Sequence, residues 1–361
     1  MTLGNLTPAE NKKPIRVLVV DDSAFMRFTI TKHLNEQPGI QVIGSAHDGL
    51  EALELIPKLN PDVVTLDVEM PHMDGLSTLR EIMTKFPRPV VMLSSLTAEG
   101  TVETVQALTL GAVDFIAKPV NKATINTVME EVAAKIVKAA GSRVFSLAST
   151  SRSSISSVKS SSKSIRSLGS KDKVVIIGSS TGGPRALNSL IPEIPASLSA
   201  AILIVQHMPA GFTRSLADRL DSLSNIHVKE AEPGDKLEVG RALLAPGGFH
   251  LTFDKNGQVA LNQNPPVHGV RPAIDVAMAS LVPLFGRSIL GVILTGMGSD
   301  GTTGSRLIHE AGGQIIAEDE STCVVWGMPR SVYEAGVADE ILPLHRIAGA
   351  ICKRIVPDPY E

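Results

Sequence analysis

The sequence is poor in aromatic residues, in cysteine and in long apolar runs, and each shortage excludes a class of protein. Aromatic side chains make up 3% of the 361 residues, so the cores must consist mainly of aliphatic side chains. Its two cysteines, Cys323 and Cys352, belong to no CxxC pair or Cys/His cluster, which excludes a disulfide framework or a zinc site. We expect both to be buried as small apolar side chains. No apolar run approaches the length of a membrane span.

The sequence also has no excess of positive charge. The formal net charge is −3, which gives no electrostatic basis for binding DNA or RNA, so we expect no nucleic-acid partner. Residues 1–14 lack the apolar stretch of a signal peptide. We therefore expect a cytoplasmic protein without direct membrane insertion.

One segment, residues 141–171, differs sharply in composition from the rest. Nearly half of it is serine, it carries several Lys and Arg, and it contains no acidic residue. Such a segment lacks the apolar periodicity needed to bury a face, so it is predicted to be a flexible linker. A basic docking strip for an acidic partner is the alternative. The segment divides the chain into two predicted domains, residues 14–140 and 172–358.

In both domains short apolar runs alternate with helical patterns, which is typical of parallel α/β folds. In the first domain, five such units predict a flavodoxin-like doubly wound parallel sheet. Its predicted strands are 16–20, 41–46, 62–66, 89–93 and 113–117. The second domain is predicted to be mainly parallel α/β, with an antiparallel excursion over 226–261 where turn signals separate short strands. Its clearest strands are 174–177, 201–205 and 289–294.

Carboxylates follow two neighbouring strands of the first domain. Asp21 and Asp22 come directly after one strand, and Asp67 directly after another. Three carboxylates at one sheet edge repel each other and therefore predict a bound cation, for which Mg²⁺ is the natural choice. Lys118 and Ser94 end two further strands and can reach the same edge.

These residues occur in motifs that resemble response-regulator receiver domains: VVDDS, LDVEMPHMDG, VVMLSS and FIAKP. The resemblance covers the whole first domain. It implies that Asp67 accepts a phosphoryl group from a histidine kinase, and that Asp21 and Asp22 help Asp67 to bind Mg²⁺. It also implies that Ser94 is the hydroxyl switch residue and that Lys118 contacts the phosphoryl group.

The second domain begins with a strand that runs into a glycine-framed serine. Residues 178–182 satisfy the pattern G-x-S-x-G, with Ser180 at its centre and Pro184 opening a helix. In a strand–turn–helix context this pattern presents a nucleophilic serine. The same turn can also bind a phosphate or be purely structural, although it lacks the G-x-G-x-x-G spacing and the P-loop lysine.

A serine nucleophile needs a base and an orienting acid. His207 follows the apolar strand 201–205 and is the best placed base, whereas His250 and His268 lie in the middle loops and are weaker candidates. Asp300 lies in a glycine-rich loop after the strand 289–294, and Asp275 is the runner-up acid. Backbone N–H groups of that same loop could form an oxyanion hole.

The second domain resembles the catalytic domain of the CheB family of chemotaxis methylesterases. The motifs that carry the resemblance are IGSSTGGP, VQHMP, LLAPGGFH, VRPAID, LTGMGSDG and CVVWGMP. It implies Ser180 as nucleophile, His207 as base, Asp300 as orienting acid and the Met297 N–H as oxyanion donor. The order Ser, His, Asp along the chain differs from the α/β-hydrolase order and argues against an ordinary lipase or esterase fold.

The resemblance implies phosphorylation-regulated hydrolysis of glutamyl methyl esters on methyl-accepting chemotaxis receptors, with deamidation of receptor glutamines. The hydrolase site is expected to need no cofactor. We hypothesise that the unphosphorylated receiver covers the catalytic site. Rival functions are a DNA-binding output, a catalytically inactive binding module, and a serine hydrolase for another acyl substrate.

Overall fold

The structure, a computed structural model, describes residues 13–95, 97–119, 125–145, 165–169 and 172–355. Five strands and five helices alternate in the first domain. The strands are β1 (Ile15–Val20), β2 (Ile40–Ala46), β3 (Val63–Asp67), β4 (Val90–Ser94) and β5 (Asp114–Ala117). The helices are α1 (Ala24–Glu36), α2 (Gly49–Leu59), α3 (Gly75–Lys85), α4 (Ala98–Leu110) and α5 (Ile125–Ala140).

The first sheet is parallel throughout, with strand order β2-β1-β3-β4-β5. The order reverses between β1 and β3, and in open parallel sheets ligands bind at the carboxyl ends of the strands beside such a reversal. The predicted flavodoxin-like fold is confirmed, and each strand lies within one or two residues of its predicted bounds.

Polar side chains at the helix N-termini explain where several helices begin. Ser23, Asp48, Asp74 and Thr97 each accept a hydrogen bond from a backbone N–H of the first turn of the helix that follows. These caps satisfy donors that a helix leaves unpaired at its start. They fix the loops at the carboxyl ends of the strands, where the carboxylates lie.

The second domain is built around a seven-stranded sheet in which all neighbouring strands are parallel. The strands of this domain are β6 (Arg166–Ser167), β7 (Lys173–Ser179), β8 (Ala200–Gln206), β9 (His227–Glu230), β10 (Glu238–Val239), β11 (Arg241–Leu244), β12 (His250–Phe253), β13 (Val259–Asn262), β14 (Ile289–Ile293), β15 (Gln314–Glu318) and β16 (Glu340–Leu342). The strand order across the seven-stranded sheet is β16-β15-β14-β7-β8-β11-β9, and β6, β10, β12 and β13 lie outside it. The helices are α6 (Gly183–Leu190), α7 (Phe212–Leu223), α8 (Ile274–Phe285), α9 (Thr302–Glu310), α10 (Met328–Glu334) and α11 (Leu344–Ile355).

The predicted antiparallel excursion is present as the hairpin of β12 and β13, and β10 pairs in antiparallel fashion with β6. The strands β9 and β11, from the same stretch of sequence, instead extend the parallel sheet beyond β8. The mainly parallel α/β fold that was predicted for this domain is confirmed.

The cores are aliphatic, as the composition requires, because the central strands are apolar on both faces. All seven residues of β8 are buried, as are six of the seven in β7. Cys323 is buried and Cys352 is half-buried, and both are free thiols. Within the described residues, no helix is long and apolar enough to cross a membrane.

Two parts of the predicted linker are described. Residues 141–145 continue from α5 and contact the second domain, and residues 165–169 contain β6. The rest of the linker prediction, residues 146–164 and 170–171, lies outside the described residues.

Candidate active site and phosphorylation site

The predicted carboxylate cluster lies at the reversal of strand order in the first sheet. Asp21 follows β1 and Asp67 ends β3, and ligand atoms of Asp21, Asp22 and Asp67 all lie within 4.8 Å of one another. Asp21 and Asp67 are buried, while Asp22 is exposed. Burial, reinforced by the charge of Asp21, raises the pKa of Asp67 to about 6 although the nearby Lys118 lowers it. Crowded, poorly solvated carboxylates of this kind suit a hard divalent cation with oxygen ligands.

Lys118 lies against the same cluster. Its Nζ is 2.6 Å from Asp67 Oδ2 and 3.1 Å from Asp21 Oδ2. Burial lowers the pKa of Lys118, but the two carboxylates outweigh this effect and leave the pKa above its usual value. The lysine therefore stays charged beside the predicted acceptor of the phosphoryl group.

The hydroxyl of Ser94, at the end of β4, is engaged with helix α4. It is fully buried, lies 3.1 Å from the carbonyl oxygen of Gly100 and accepts a 2.6 Å hydrogen bond from Thr104 Oγ1. Both partners belong to α4, which also reaches the second domain. The predicted switch residue thus connects the end of the central sheet to the helix that contacts the catalytic domain.

Ser180 lies in the tight turn between β7 and α6. Its backbone N–H donates to Thr295 O at 3.1 Å, and its carbonyl oxygen accepts from Gly183 N at 2.7 Å. Gly182 has φ +79°, a conformation that side chains disfavour, and a Cβ at Gly183 would lie 1.9 Å from Gln206 Oε1. The glycines of the motif are therefore required by the backbone conformation and by the close packing against β8.

His207, directly after β8, is bonded to Asp300. The distance between His207 Nε2 and Asp300 Oδ2 is 2.8 Å. Backbone N–H groups of Ile274 and Asp275, at the start of α8, donate to the same carboxylate at 2.7 and 2.9 Å. Burial would raise the pKa of Asp300, but the bond to His207 and these N–H groups outweigh it and keep the pKa below its usual value. The acid is therefore charged, as an orienting group for a histidine base must be.

The weaker candidates occupy other positions. Asp275 accepts hydrogen bonds from Gly301 N and Gly304 N, at 3.0 and 2.7 Å, and so helps to hold the start of α9. His268 Nε2 lies 3.0 Å from Asp275 Oδ2, whereas the buried His250 bonds to the carbonyl of Pro265 at 3.1 Å. Asp275 and His268 are thus neighbours of the predicted triad, and His250 is bonded elsewhere.

A cavity of about 540 Å³ brings the predicted catalytic residues together. Ser180, His207, Met297 and Asp300 all line it. The loop after β14 approaches the serine closely, since a Cβ at Gly296 would lie 2.8 Å from Ser180 Cβ. The hydrogen bonds of the described residues include none between the Ser180 hydroxyl and His207. The arrangement can support nucleophilic chemistry at a carbonyl group once that bond forms.

Part of the lining of this cavity belongs to the first domain. Asp114 and Phe115 of β5 line it together with Lys135 of α5. Thr181, next to Ser180, donates a 3.2 Å hydrogen bond to Asp114 Oδ2, and the ring of Phe115 lies 4.3 Å from that of Phe212 at the start of α7, measured between centroids. Sequence reasoning did not find these contacts, because nothing in either local pattern indicates the other domain.

A second set of contacts holds the end of the first domain to the segment after β15. Arg143 N donates to Val324 O at 3.0 Å, and the Arg143 guanidinium donates to the carbonyl and carboxylate of Glu320 at 2.7 and 3.0 Å. The Arg185 guanidinium of α6 lies 4.7 Å from the centroid of the Phe145 ring. The first domain and the segment after it therefore also contact the catalytic domain through residues that do not line the cavity.

Known proteins resemble the chain over nearly its whole length. The family described as CheB methylesterase matches residues 175–351, and the response regulator receiver domain family matches residues 17–130. The protein-glutamate methylesterase/protein-glutamine glutaminase of Symbiobacterium thermophilum is 51% identical over 354 residues, which are 95% of this chain and 98% of that protein. The protein of the same description from Pyrococcus abyssi is 46% identical over 95% of this chain and 94% of its own length.

A solved structure agrees with these matches. The crystal structure of the Thermotoga maritima CheB methylesterase catalytic domain is 47% identical, with a TM-score of 0.50, and it aligns with 51% of this chain and 99% of its own length. That alignment covers about half of the chain, and the receiver family accounts for most of the other half. With full-length relatives at this identity, the chain belongs to the CheB methylesterase family of hydrolases, in which a receiver domain is joined to a catalytic domain.

Proposed function

We propose that the chain hydrolyses glutamyl methyl esters on chemotaxis receptors, releases methanol, and is regulated by phosphorylation of its receiver domain. Deamidation of receptor glutamines is proposed as a second reaction of the same site. The observation that carries the proposal is the bonded pair of His207 and Asp300 in one cavity with Ser180, beneath the receiver domain. The names of the relatives describe both reactions.

In the first step Ser180 attacks the ester carbonyl carbon and His207 takes the hydroxyl proton. Because Nε2 of His207 is bonded to Asp300, the remaining nitrogen, Nδ1, is the one that receives this proton. The charged Asp300 stabilises the imidazolium that forms and holds the ring in one tautomer.

The carbonyl oxygen of the ester becomes negative in the tetrahedral intermediate, and it needs hydrogen-bond donors that are already in place. The backbone N–H of Met297 is proposed as one donor, and the start of α6, directly after the Ser180 turn, contributes the positive end of its dipole. When the intermediate collapses, the bond to the methoxy oxygen breaks, and His207 returns its proton to methanol.

Water then attacks the acyl-enzyme with His207 as base, which frees Ser180 and leaves a receptor carboxylate. With a glutamine side chain the same first step breaks the carbon–nitrogen bond and releases ammonia, and the second step is identical. Both reactions end on a glutamate. The hydrolase site needs no further cofactor for this chemistry, since the chain supplies nucleophile, base and oxyanion donors.

Regulation is proposed to begin at Asp67, which accepts the phosphoryl group from a histidine kinase. Asp21, Asp22 and Asp67 would hold Mg²⁺, whose positive charge balances the phosphoryl oxygens. Lys118, 2.6 Å from Asp67 Oδ2, contacts the same oxygens as a point charge.

The added charge is proposed to draw the hydroxyl of Ser94 away from its partners in α4. That helix contacts the catalytic domain, where Thr101 Oγ1 lies 3.1 Å from Ser215 Oγ of α7. A shift of α4 would weaken the contacts that cover the cavity, and a receptor helix could then enter. The unphosphorylated receiver is therefore proposed to be inhibitory.

The implied partners are methyl-accepting receptors as substrate and a chemotaxis histidine kinase as phosphodonor. Both would meet the chain on the cytoplasmic side of the membrane, which is the proposed location. The predicted domains, 14–140 and 172–358, would separate regulation from chemistry, with the serine-rich segment between them.

The proposal is tested by methanol release from methylated receptor cytoplasmic fragments, with and without a small-molecule phosphodonor and Mg²⁺. Release that requires Ser180, as shown by Ser180→Ala, and that rises with phosphodonor is the expected result. Deleting residues 1–140 should raise the basal rate, and a failure to do so would replace inhibition by activation or recruitment. Turnover of unrelated esters but not of receptor would favour another acyl substrate, and no turnover at all a binding-only role.

A further inference from the structure

Glu318, the last residue of β15, is a buried acid that the proposed mechanism does not use. Its side chain is fully buried, and Oε2 accepts a 2.8 Å hydrogen bond from the backbone N–H of Thr295. Oε1 is also buried and has no hydrogen-bond partner in the part of the chain that the structure describes. Burying a carboxyl group in this way is costly, so an apolar residue would be the simpler choice if packing were its only purpose.

Thr295 links the serine turn to the loop that carries the proposed oxyanion donor. Its carbonyl oxygen accepts from Ser180 N at 3.1 Å, and its hydroxyl donates to Thr181 O at 3.0 Å. Thr295 lies two residues before Met297 in the chain. A displacement of Thr295 would therefore move the nucleophile and the oxyanion donor relative to each other.

The position of Glu318 explains why a side chain is needed there. Leu294 N donates to Gly178 O of β7 at 2.9 Å, and N–H groups alternate in direction along a strand, so the Thr295 N–H turns toward β15. Because β15 ends at Glu318, its side-chain oxygen takes the place of a strand carbonyl. The Glu318 side chain thus continues the hydrogen bonding of the sheet by one position, next to the loops that carry Ser180 and Met297.

The surroundings of Glu318 disfavour its charged form. Burial raises the pKa of Glu318 and outweighs the hydrogen bond from the Thr295 N–H, which is the largest of the effects that lower it. A negative charge behind the oxyanion loop would oppose the charge that develops in the transition state.

We propose that Glu318 is a positioning residue, whose carboxyl oxygen holds the Thr295 N–H and thereby fixes Ser180 against the backbone N–H of Met297. The inference rests on the proposed roles of Ser180 and Met297. It assigns the carboxyl group an effect on the rate of the chemical step, in addition to any effect on folding.

The matched control lies at the other end of the same strand. Asp339 Oδ2 accepts a 2.6 Å hydrogen bond from Ile315 N, near the start of β15, and neither residue lines the cavity. Asp339→Leu removes an exposed carboxylate that accepts a backbone N–H of β15, whereas Glu318→Leu removes a buried one that accepts the backbone N–H of Thr295. A purely structural role predicts that both variants affect stability alone.

The test uses the full chain, a fluorophosphonate probe and mass spectrometry of the labelled serine. Ser180 displaces fluoride from the probe phosphorus, so the limiting labelling rate at saturating probe reports nucleophile and oxyanion placement, and half-saturation reports probe binding. We expect Glu318→Leu to slow the limiting rate by about 10- to 100-fold, the range of a misplaced catalytic group. Glu318→Gln, which keeps a neutral acceptor oxygen, should stay within about threefold of wild type.

The outcomes separate this inference from the proposed function. The role of Glu318 is overturned if Glu318→Leu is not slowed, or if Glu318→Gln is slowed as much as Glu318→Leu is expected to be. If Ser180→Ala stays unlabelled in that experiment, the assignment of the nucleophile still stands. Absence of labelling at Ser180 in the wild type overturns the proposed function itself. If Glu318→Leu does not fold, Glu318→Asp replaces it, because the shorter side chain withdraws the carboxyl oxygen from Thr295. Equal limiting rates for Glu318→Asp and Glu318→Gln would refute the inference.

Discussion

Substitution of Phe115 by alanine tests whether the receiver domain inhibits the catalytic site. Phe115 lies on β5 of the receiver and is 3% exposed, and its ring packs at 4.3 Å and 44° against Phe212 of the catalytic domain. It also lines the cavity that contains Ser180. Removing the ring should loosen the cover without touching the proposed catalytic or phosphorylation residues.

The size of the effect follows from the packing. Truncating a buried phenylalanine costs about 3–5 kcal/mol, shared here between the receiver core and the contact with Phe212. The ring pair alone contributes roughly 0.5–1.5 kcal/mol beyond area burial. If the closed arrangement loses about 1.4 kcal/mol, the open population rises about tenfold. Basal methanol release should rise by that factor, up to the rate of the phosphorylated protein.

The assay is methanol release from methylated receptor fragments without phosphodonor. Phe86→Ala is the control, because Phe86 packs on the receiver core at the end of α3 and does not line the cavity. It should lower receiver stability and leave the basal rate unchanged. An unchanged rate in a folded Phe115→Ala protein, confirmed by its thermal unfolding, would refute inhibition by this contact.

Four further results are expected. Asp67→Asn should abolish the rise in methanol release that phosphodonor gives, because the acceptor oxygen is lost; a persisting rise would place the phosphoryl group elsewhere. Mg²⁺ should raise the thermal midpoint of the wild type and raise that of Asp21→Asn less, in differential scanning calorimetry, since one proposed ligand charge is gone. Asp300→Asn should lower kcat by about 10³–10⁴-fold in the same release assay through loss of the correct histidine tautomer. The pKa of Asp300 is lowered in the folded state, so its contribution to stability is fully present above the unfolded pKa of about 3.9. In urea unfolding, the difference in free energy of unfolding between wild type and Asp300→Asn should therefore shrink as the pH falls below about 4.

The sequence was most informative where chemistry follows directly from a strand end. Asp21, Asp67, Ser180 and His207 were each located by an apolar run followed by a polar residue, and each lies at the carboxyl end of a parallel strand. The reason is physical, because buried parallel strands must be apolar and must align their ends. The roles assigned to these residues remain predictions.

Other parts of the fold lacked such a local signal. The strands β9 and β11 are short and lie among turn residues, so the stretch 226–261 indicated an antiparallel excursion although both strands join the parallel sheet. The strand β15 ends in a buried acid, Glu318, which sequence patterns assign to the surface. The contact between Phe115 and Phe212 joins residues of different domains, and no periodicity encodes such a pair.

The way in which Asp300 is held affects how this domain could lose its activity in evolution. The carboxylate accepts backbone N–H groups from Ile274, Asp275 and Gly301, so it serves the architecture as well as the histidine. Each buried donor left unpaired costs about 1–3 kcal/mol. Ser180 is half-buried, so losing its hydroxyl does not carry this cost of unpaired buried donors. A descendant that kept only a binding role should therefore lose the serine first and retain the aspartate. In related chains the serine is then a better indicator of catalytic activity than the aspartate.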